Sequence, residues 1–296
     1  MNILPRELVG EISNSLQLKD AIEFGKTNKQ FLTNLSKTDF GFRIYHPISI
    51  DTIFHINTNK EHQRRQYIIG NFKHAHVQIL DEFTYLSTLL PCLTHITFSR
   101  HFNQSIFYIK FPKSLTHITF GYQFNKPVCD LNMLHSLTHL TFGYHFNQSV
   151  DNLQLPPSLK HLTFGYHFNQ RVDNLKLPLP LTHLTFGTHF NVPVDNLSLP
   201  KSVTHLSFET LFDQSVDNLK LPQSLTHLTF GHNFNQTIDN LELPKSLIYL
   251  KFGFHFNKSI DKLKFPKSLT HLTLGCSYQQ SLGYLTSLHH MSIKFR

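Results

Sequence analysis

Hydrophobic and polar positions repeat along most of the chain with a period of 22 residues. The most regular copy, Leu-Thr-His-Leu-Thr-Phe-Gly at Leu181–Gly187, opens a unit that runs to Ser202. Equivalent positions open the other units at Leu93, Leu115, Leu137, Leu159, Val203, Leu225, Leu247 and Leu269. A fixed period of this length is typical of stacked repeat folds. Function is therefore to be sought on the stacked surface and in the N-terminal segment.

The apolar pattern within each unit, counted from its first leucine, predicts one short strand. Positions 4 and 6 are apolar and flank a threonine, so they should point inward while positions 2, 3 and 5 point outward. Phenylalanine fills position 6 at Phe98, Phe120, Phe142, Phe164, Phe186, Phe208, Phe230 and Phe252, and position 10 at Phe102, Phe124, Phe146, Phe168, Phe190, Phe212, Phe234 and Phe256. Nine strands stacked about 4.8 Å apart would give two aromatic columns inside a rod about 40 Å long.

The remaining positions of the unit are predicted to close each coil. Glycine at position 7 is expected to supply a positive φ or a sharp bend. Asparagine at position 11 is expected to be buried and to satisfy turn amides in its own coil and the next. Valine and leucine should line the far wall, and proline should turn the chain back. In the central unit these residues are Gly187, Asn191, Val194, Leu197 and Pro200.

This unit resembles the FNIP repeat, which takes its name from Phe-Asn-Ile-Pro. The nearest copies are Phe124–Pro127 (Phe-Asn-Lys-Pro) and Phe190–Pro193 (Phe-Asn-Val-Pro). The unit is also similar to the leucine-rich repeat, whose strand is matched by Leu-x-x-Leu-x-Phe. The resemblance covers residues 93–285. It implies a parallel β-solenoid of leucine-rich-repeat type in which each coil contacts only its neighbours.

The first 45 residues differ from the repeats and predict a small helical unit. Pro5 suits the first turn of a helix, and Asp20 can cap a second one. Apolar residues recur at every fourth position, as on one face of a helix, at Leu4, Leu8, Ile12 and Leu16. The chain is therefore expected to be an α+β repeat protein with helices first and the solenoid after them.

The same segment resembles an F-box, which docks on the Skp adaptor of cullin–RING ubiquitin ligases. The resemblance implies adaptor contacts at Leu4, Pro5, Leu8 and Ile12. An F-box followed by FNIP repeats is found in amoebae and in giant DNA viruses that infect them. It implies a substrate-receptor subunit, in which the repeats bind a protein target and the F-box delivers it for ubiquitination. The alternative is a helical cap whose leucines only cover the end of the repeat stack.

Four segments follow from these patterns: an F-box-like helical domain at 1–45, a linker and degenerate N-terminal capping repeat at 46–92, the repeat solenoid at 93–285 and a C-terminal cap at 286–296. Alternation in the linker predicts short strands at Ile48–Ile53, Tyr67–Gly70 and Val77–Leu80. The cap is expected to start one more strand only 19 residues after Leu269, within Ser287–Ile293.

Composition and charge narrow the classes of partner. The net charge is +8, but the lysines are scattered through the repeats, so a solvated surface is expected rather than a nucleic-acid footprint. Three distant cysteines fit neither a disulfide framework nor a zinc module, so a cytoplasmic location is expected, in the host if the protein is viral, with the nucleus as the alternative. We expect no membrane partner, because there is no signal-peptide pattern and no apolar run near the ~20 residues that span a bilayer.

Histidines form two columns that could carry chemistry. They lie at position 3, at His95, His117, His139, His161, His183, His205, His227 and His271, and at position 9, at His101, His145, His167, His189 and His255. Histidine binds metals and titrates near neutrality, but a straight column offers no closed cage of ligands. We expect a solvent-facing stripe, with no metal and no cofactor. The sequence has no nucleophile elbow, phosphate loop or pair of catalytic carboxylates, so no enzymatic activity is expected.

Two units depart from the pattern and suggest where a protein target binds. The unit at 203–224 carries Glu209, Leu211 and Asp213 in place of glycine, histidine and asparagine. The unit at 247–268 carries Ile248, Tyr249 and Lys251 where Thr, His and Thr are usual on the outer strand face. Tyr249 is an aromatic residue on this face, and exposed aromatic residues are typical anchors of protein interfaces. The predicted target patch consists of Ile248, Tyr249, Lys251, His205 and His227. Sequence drift in a tolerant repeat is the alternative explanation.

Three hypotheses of function remain at this stage. The first is the substrate receptor of a Skp–cullin–F-box ligase. The second is a protein–protein interaction scaffold that recruits no ligase. The third is a nucleic-acid binder that uses the positive charge, and it would show salt-sensitive binding to arbitrary DNA or RNA.

Overall fold

A computed structural model describes residues 94–98, 100–107, 109–282 and 291–295, together with the backbone of strands at 48–49 and 76–79. Every regular element in this part of the chain is a β-strand. The predicted helices and adaptor contacts at 1–45 and the predicted strand at Tyr67–Gly70 lie outside the described residues.

The described residues contain twelve short strands that form one parallel sheet, in which they stand in the order of the sequence. They are β1 Ile48–Ser49, β2 His76–Ile79, β3 His95–Phe98, β4 His117–Thr119, β5 His139–Thr141, β6 His161–Thr163, β7 His183–Thr185, β8 His205–Ser207, β9 His227–Thr229, β10 Tyr249–Lys251, β11 His271–Leu274 and β12 Ser292–Phe295. The remainder of each coil is the crossover that parallel strands require. The described array is therefore a parallel β-solenoid, as the period predicts.

The register of the sheet stacks equivalent residues of successive units. From β3 to β9 each position-3 histidine pairs with the next, and Tyr249 takes the same place between His227 and His271. At the C-terminal end His271 pairs with Ser292, which is 21 residues away. The predicted spacing of 19 residues is wrong, because the pairing places Ile293 and Phe295, and not Met291 and Ile293, opposite the inward residues of β11.

Strand facing agrees with the alternation of the sequence. Leu184 in β7 is 1% exposed and Phe186, directly after the strand, is 0% exposed, whereas His183 and Thr185 are only half-buried. The position-10 residue Phe190 is also fully buried and stacks on Phe186 with ring centroids 4.1 Å apart. The eight coils from β3 to β10 thus each contribute two phenyl rings to the core, and one continuous apolar cluster runs through the described coils.

The coils are not evenly spaced across the solenoid. Successive position-3 histidine rings lie 4.0–4.2 Å apart, whereas position-10 phenylalanine rings lie 5.8–6.1 Å apart. Because equivalent rings on near-identical coils report the local distance between coils, the coils fan out and the sheet is the concave side. The uniform spacing of about 4.8 Å that was used to predict the length of the rod therefore does not hold on both sides of the solenoid. Hydrogen bonds hold the sheet edge of each coil close to the next, while two phenyl rings per coil fill the opposite side.

Glycine at position 7 serves close stacking and not an unusual backbone angle. No positive φ occurs at the six such glycines between Gly143 and Gly275. A Cβ built on Gly187 would instead lie 1.7 Å from the carbonyl oxygen of Gly165 in the preceding coil. Of the two predicted reasons, a positive φ or a sharp bend, the positive φ does not occur; Gly187 is required because neighbouring coils touch backbone to backbone at this corner.

The turns that close each coil follow the predicted positions with one correction. The carbonyl of Pro200 accepts the backbone N–H of Val203 at 3.1 Å, and the buried Val194 and Leu197 line the far wall. Oδ1 of Asn169 accepts the backbone N–H of Asn191 in the next coil at 2.9 Å, and the same bond joins the position-11 residues of the other coils. These asparagines are half-buried or exposed and not fully buried, because the column lies at the rim of the solenoid.

Candidate protein-binding surface

The concave face carries a ladder of threonine and histidine side chains. The Oγ1 of Thr116 donates to the carbonyl of Thr94 in the preceding coil at 2.9 Å. The same hydroxyl lies 2.8 Å from Nδ1 of His117, and because its own hydrogen is used, Nδ1–H is the donor of that second bond. Equivalent Thr–His contacts recur at His139, His183, His205, His227 and His271, whereas His161 follows Lys160 and has no such partner. Where threonine occupies position 2, it therefore orients the imidazole through Nδ1.

The ladder histidines from His139 to His227 are neutral near pH 7, because desolvation first and neighbouring positive charge second lower the pKa of these rings. The pKa of His161 is lowered to about 4, chiefly by desolvation and then by the neighbouring rings of His139 and His183. Desolvation followed by His183 and His227 likewise lowers the pKa of His205 to about 4. The rings stack with interplanar angles of mostly 7–13°. From His139 to His227 the stacked rings thus form a polar stripe whose imidazoles carry no charge near pH 7, with the exposed Lys160 beside it.

The predicted target patch interrupts this stripe. Tyr249 stacks on His227 with ring centroids 5.7 Å apart, and His227 stacks on His205 at 4.2 Å. Ile248, the residue before β10, is 40% exposed, and Lys251 stands beside Thr229 and Thr273 in the sheet register. The structure therefore brings all five predicted residues onto one stretch of the face that spans β8 to β10.

The second unusual unit does not join this patch as a block. Glu209 and Leu211 lie just beyond β8, where Glu209 is exposed and Leu211 half-buried. Asp213 keeps the function of the asparagine it replaces, because its Oδ1 accepts the backbone N–H of Asn235 at 2.8 Å. This substitution keeps the hydrogen bond between position-11 residues of successive coils at the rim of the solenoid. It therefore carries no sign of a binding site.

The pattern of apolar positions in the strands did not predict a further column of aromatic rings. It occupies position 8, after the strand, where Tyr122, Tyr144 and Tyr166 stack at 4.4 Å and the guanidinium of Arg100 lies 4.9 Å from the Tyr122 ring centre. Phe254 holds the same position in its coil and is 40% exposed. Beside this column runs an open groove lined by Asn103, Gln123, Asn125, His145, Asn147, His167, Asn169, His189, Asn191 and Leu211. The tyrosines at a spacing of 22 are the sequence signal that could have located it.

The described part of the chain offers neither a metal site of three or more ligands nor a membrane-spanning helix. There, no group of three or more histidine, cysteine, aspartate or glutamate side chains could hold a metal ion. Nor does this part contain a helix of the length and apolarity that crossing a bilayer would need.

The fold and its polar concave face define a parallel β-solenoid of the leucine-rich-repeat kind, a class that typically serves as a non-enzymatic protein-interaction module. The chain belongs to the FNIP repeat family: the family model matches residues 88–123, 135–167, 168–210, 212–255 and 256–283. A comparison with curated protein sequences found no match.

Solved structures with leucine-rich repeats are similar to this chain. CroV588, whose crystal structure is described as a novel circular LRR protein, is 40% identical with a TM-score of 0.58, over 74% of this chain and 36% of CroV588. The chain therefore spans about a third of that protein. The internalin InlF of Listeria monocytogenes is 14% identical, with a TM-score of 0.38 over 77% of this chain and 88% of InlF. A leucine-rich repeat protein of Bacteroides ovatus is 18% identical, with a TM-score of 0.23 over 74% and 59%.

Proposed function

We propose that the protein is a non-catalytic protein-binding scaffold that engages its partner with the concave face of the sheet. The observation that carries the proposal is the unbroken parallel sheet from β3 to β11, which presents equivalent polar side chains at each coil. Its curvature, set by spacings of 4.0–4.2 Å on the histidine side, suits a surface that wraps a convex partner. Extended concave surfaces of this kind are the usual binding sites of solenoids.

Within that face, the target patch is the proposed anchor of the partner. An aromatic side chain buries much area at low entropic cost, and aromatic residues dominate the energy of many interfaces. Tyr249 already rests on the ring of His227, so binding would order few additional rotamers. Ile248 adds exposed apolar surface, and Lys251 places a cation where threonine is usual, as Lys160 does in the coil of β6. The patch therefore differs from the rest of the ladder in shape and hydrophobicity.

The test compares two matched triple alanine variants of the full chain. One carries Ile248→Ala, Tyr249→Ala and Lys251→Ala, and the control carries Thr138→Ala, His139→Ala and Thr141→Ala at the same positions of β5. We expect the first variant to lose partners that the wild type and the control both retain, measured by quantitative interaction proteomics. If the two variants lose the same partners, or neither loses any, the target patch is not the binding site.

We further propose that the scaffold is the substrate receptor of a Skp–cullin–F-box ubiquitin ligase. The support is the sequence of residues 1–45, where Leu4, Pro5, Leu8 and Ile12 have the spacing of F-box docking residues. In this role the solenoid selects a protein target and the N-terminal segment recruits the ligase through its Skp adaptor. The proposed location is the cytoplasm, that of the host cell if the protein is viral, or the nucleus.

An adaptor pull-down tests this finer role separately from target binding. The full chain should retain a Skp-type adaptor, and Leu4→Ala combined with Pro5→Ala should weaken that retention about tenfold or more, because it removes buried apolar contacts. The triple variant in β10 serves as the control and should bind the adaptor normally. Normal retention by the double variant would sink the docking assignment. An adaptor that the wild type never retains would leave the simple scaffold as the function.

A further inference from the structure

The position-9 histidine column changes geometry at one step. His145 and His167 stack with an interplanar angle of 8° and ring centroids 5.0 Å apart. The next pair, His167 and His189, stands at 86° with centroids 4.6 Å apart, and their Nδ1 atoms approach to 3.2 Å. This is a different arrangement from the position-3 ladder, where the rings are stacked and Nδ1 of His183, for example, is bonded to the hydroxyl of Thr182.

The change coincides with the end of the tyrosine column. Tyr144 and Tyr166 pack edge-on against His167, with centroids 5.0 Å apart in both cases. The following coil has Thr188 at position 8, so no fourth ring supports His189. The His189 ring lies tilted by 47° against Tyr166 instead, and this orientation turns its Nδ1 toward His167. The local sequence therefore explains why two histidines converge here and nowhere else in the described column.

The distance between the two nitrogens matches a chelating pair. Two imidazole nitrogens bound at 2.0–2.1 Å to one tetrahedral ion lie about 3.3 Å apart, close to the 3.2 Å observed. Imidazole nitrogen suits copper, nickel and zinc, whereas magnesium and calcium require oxygen ligands. The groove around the pair is open, so solvent can supply the other ligands.

We propose that Nδ1 of His167 and Nδ1 of His189 chelate a late first-row divalent ion, Cu²⁺, Ni²⁺ or Zn²⁺, with water completing the coordination. In the free protein one Nδ1–H donates to the other ring. When the metal ion binds, the ring that carried the Nδ1–H takes the Nε2–H tautomer, so the Nδ1 lone pairs of both rings face the ion. No proton is released, because both rings are neutral before and after binding. The site is independent of the proposed protein-binding function, because it lies in the groove and not on the strand face.

The test uses Cu²⁺ as the probe with the full chain, because copper binds most strongly in the divalent series. We expect His189→Gln and His167→Gln each to lower the affinity of one Cu²⁺ equivalent by about tenfold or more in calorimetric titration, whereas His255→Gln leaves it unchanged. His255 is the matched control, an exposed position-9 histidine in another coil. Mg²⁺ should give no binding at the pair.

A second measurement needs no variant and so survives any folding defect. Zn²⁺ added to the ¹⁵N-histidine-labelled wild type should shift the Nδ1 resonances of two rings that share the Nε2–H tautomer. Two outcomes overturn the proposal: His189→Gln and wild type binding Cu²⁺ with equal affinity, or Zn²⁺ leaving every Nδ1 resonance unmoved. Equal losses in His255→Gln and His189→Gln would also contradict it, because the binding would then be that of scattered histidines.

Discussion

Phe186→Ala should lower the free energy of unfolding by about 3–5 kcal/mol, because it removes a large ring from a close-packed column and leaves a cavity. Phe186 is fully buried and stacks on Phe164, Phe190 and Phe208 at 5.7, 4.1 and 5.4 Å. The rings above and below belong to neighbouring coils, so the cavity also weakens the coil–coil interfaces on which a repeat array depends. Urea titration of the full chain measures the loss.

His183→Ala is the matched comparison for this prediction. His183 lies in the same strand with its side chain on the outer face, where it stacks on His205 at 4.1 Å and bonds to Thr182. Its removal should cost far less, about 1 kcal/mol, because the ring is only half-buried. Equal losses for the two variants would mean that the strand facing is not as described.

Acid should destabilise the solenoid below the pH at which free histidine titrates. The pKa of His161 and of His205 is lowered to about 4 in the folded protein, chiefly by desolvation, from the ordinary value of 6.5. The unfolded chain therefore binds more protons than the folded one between these values. The stability contributed by the neutral ladder is fully present above pH 6.5 and is lost as the pH falls through 6 and 5 toward 4. The unfolding midpoint in urea, measured at successive pH values, should fall over that window.

A ladder variant isolates the contribution of these rings from other titrating groups. Replacement of His161, His183 and His205 by glutamine keeps polar side chains on the face but removes three coupled titrations. We expect the variant to show a weaker loss of stability between pH 6.5 and 4 than the wild type does, with little difference between them above pH 7. Parallel pH profiles for the two proteins would show that the histidine ladder does not carry the acid sensitivity.

The architecture of the array was predictable because the same pattern of apolar and polar positions recurs in successive units. A 22-residue period with apolar positions 4 and 6 was enough to place Leu184 and Phe186 inside and His183 outside. The parallel order follows from the period, since each unit must make one crossover and return to the sheet. The predicted target patch also formed one surface, because residues at equivalent positions of adjacent coils become neighbours in the register.

Features that depend on distances between coils could not be read from the period. Gly187 is required by a carbonyl of the preceding coil, and a pattern of residue types does not show how closely two backbones approach. The curvature depends on how much volume two phenyl rings occupy on the side away from the sheet. The turn of His189 toward His167 depends on a missing ring at Thr188, one position earlier in the same coil. Each of these features results from packing between coils, and a constant repeat length in the sequence does not reveal it.

The central claim, that the concave face binds a protein through the target patch, is tested most directly by hydroxyl-radical footprinting of the chain with its captured partner. Tyr249 and His227 should lose reactivity in the complex, while Tyr166, a tyrosine in the column outside the strand face, should keep it. Protection of Tyr166 with continued reactivity at Tyr249 and His227 would contradict the claim and place the interface on the tyrosine column instead.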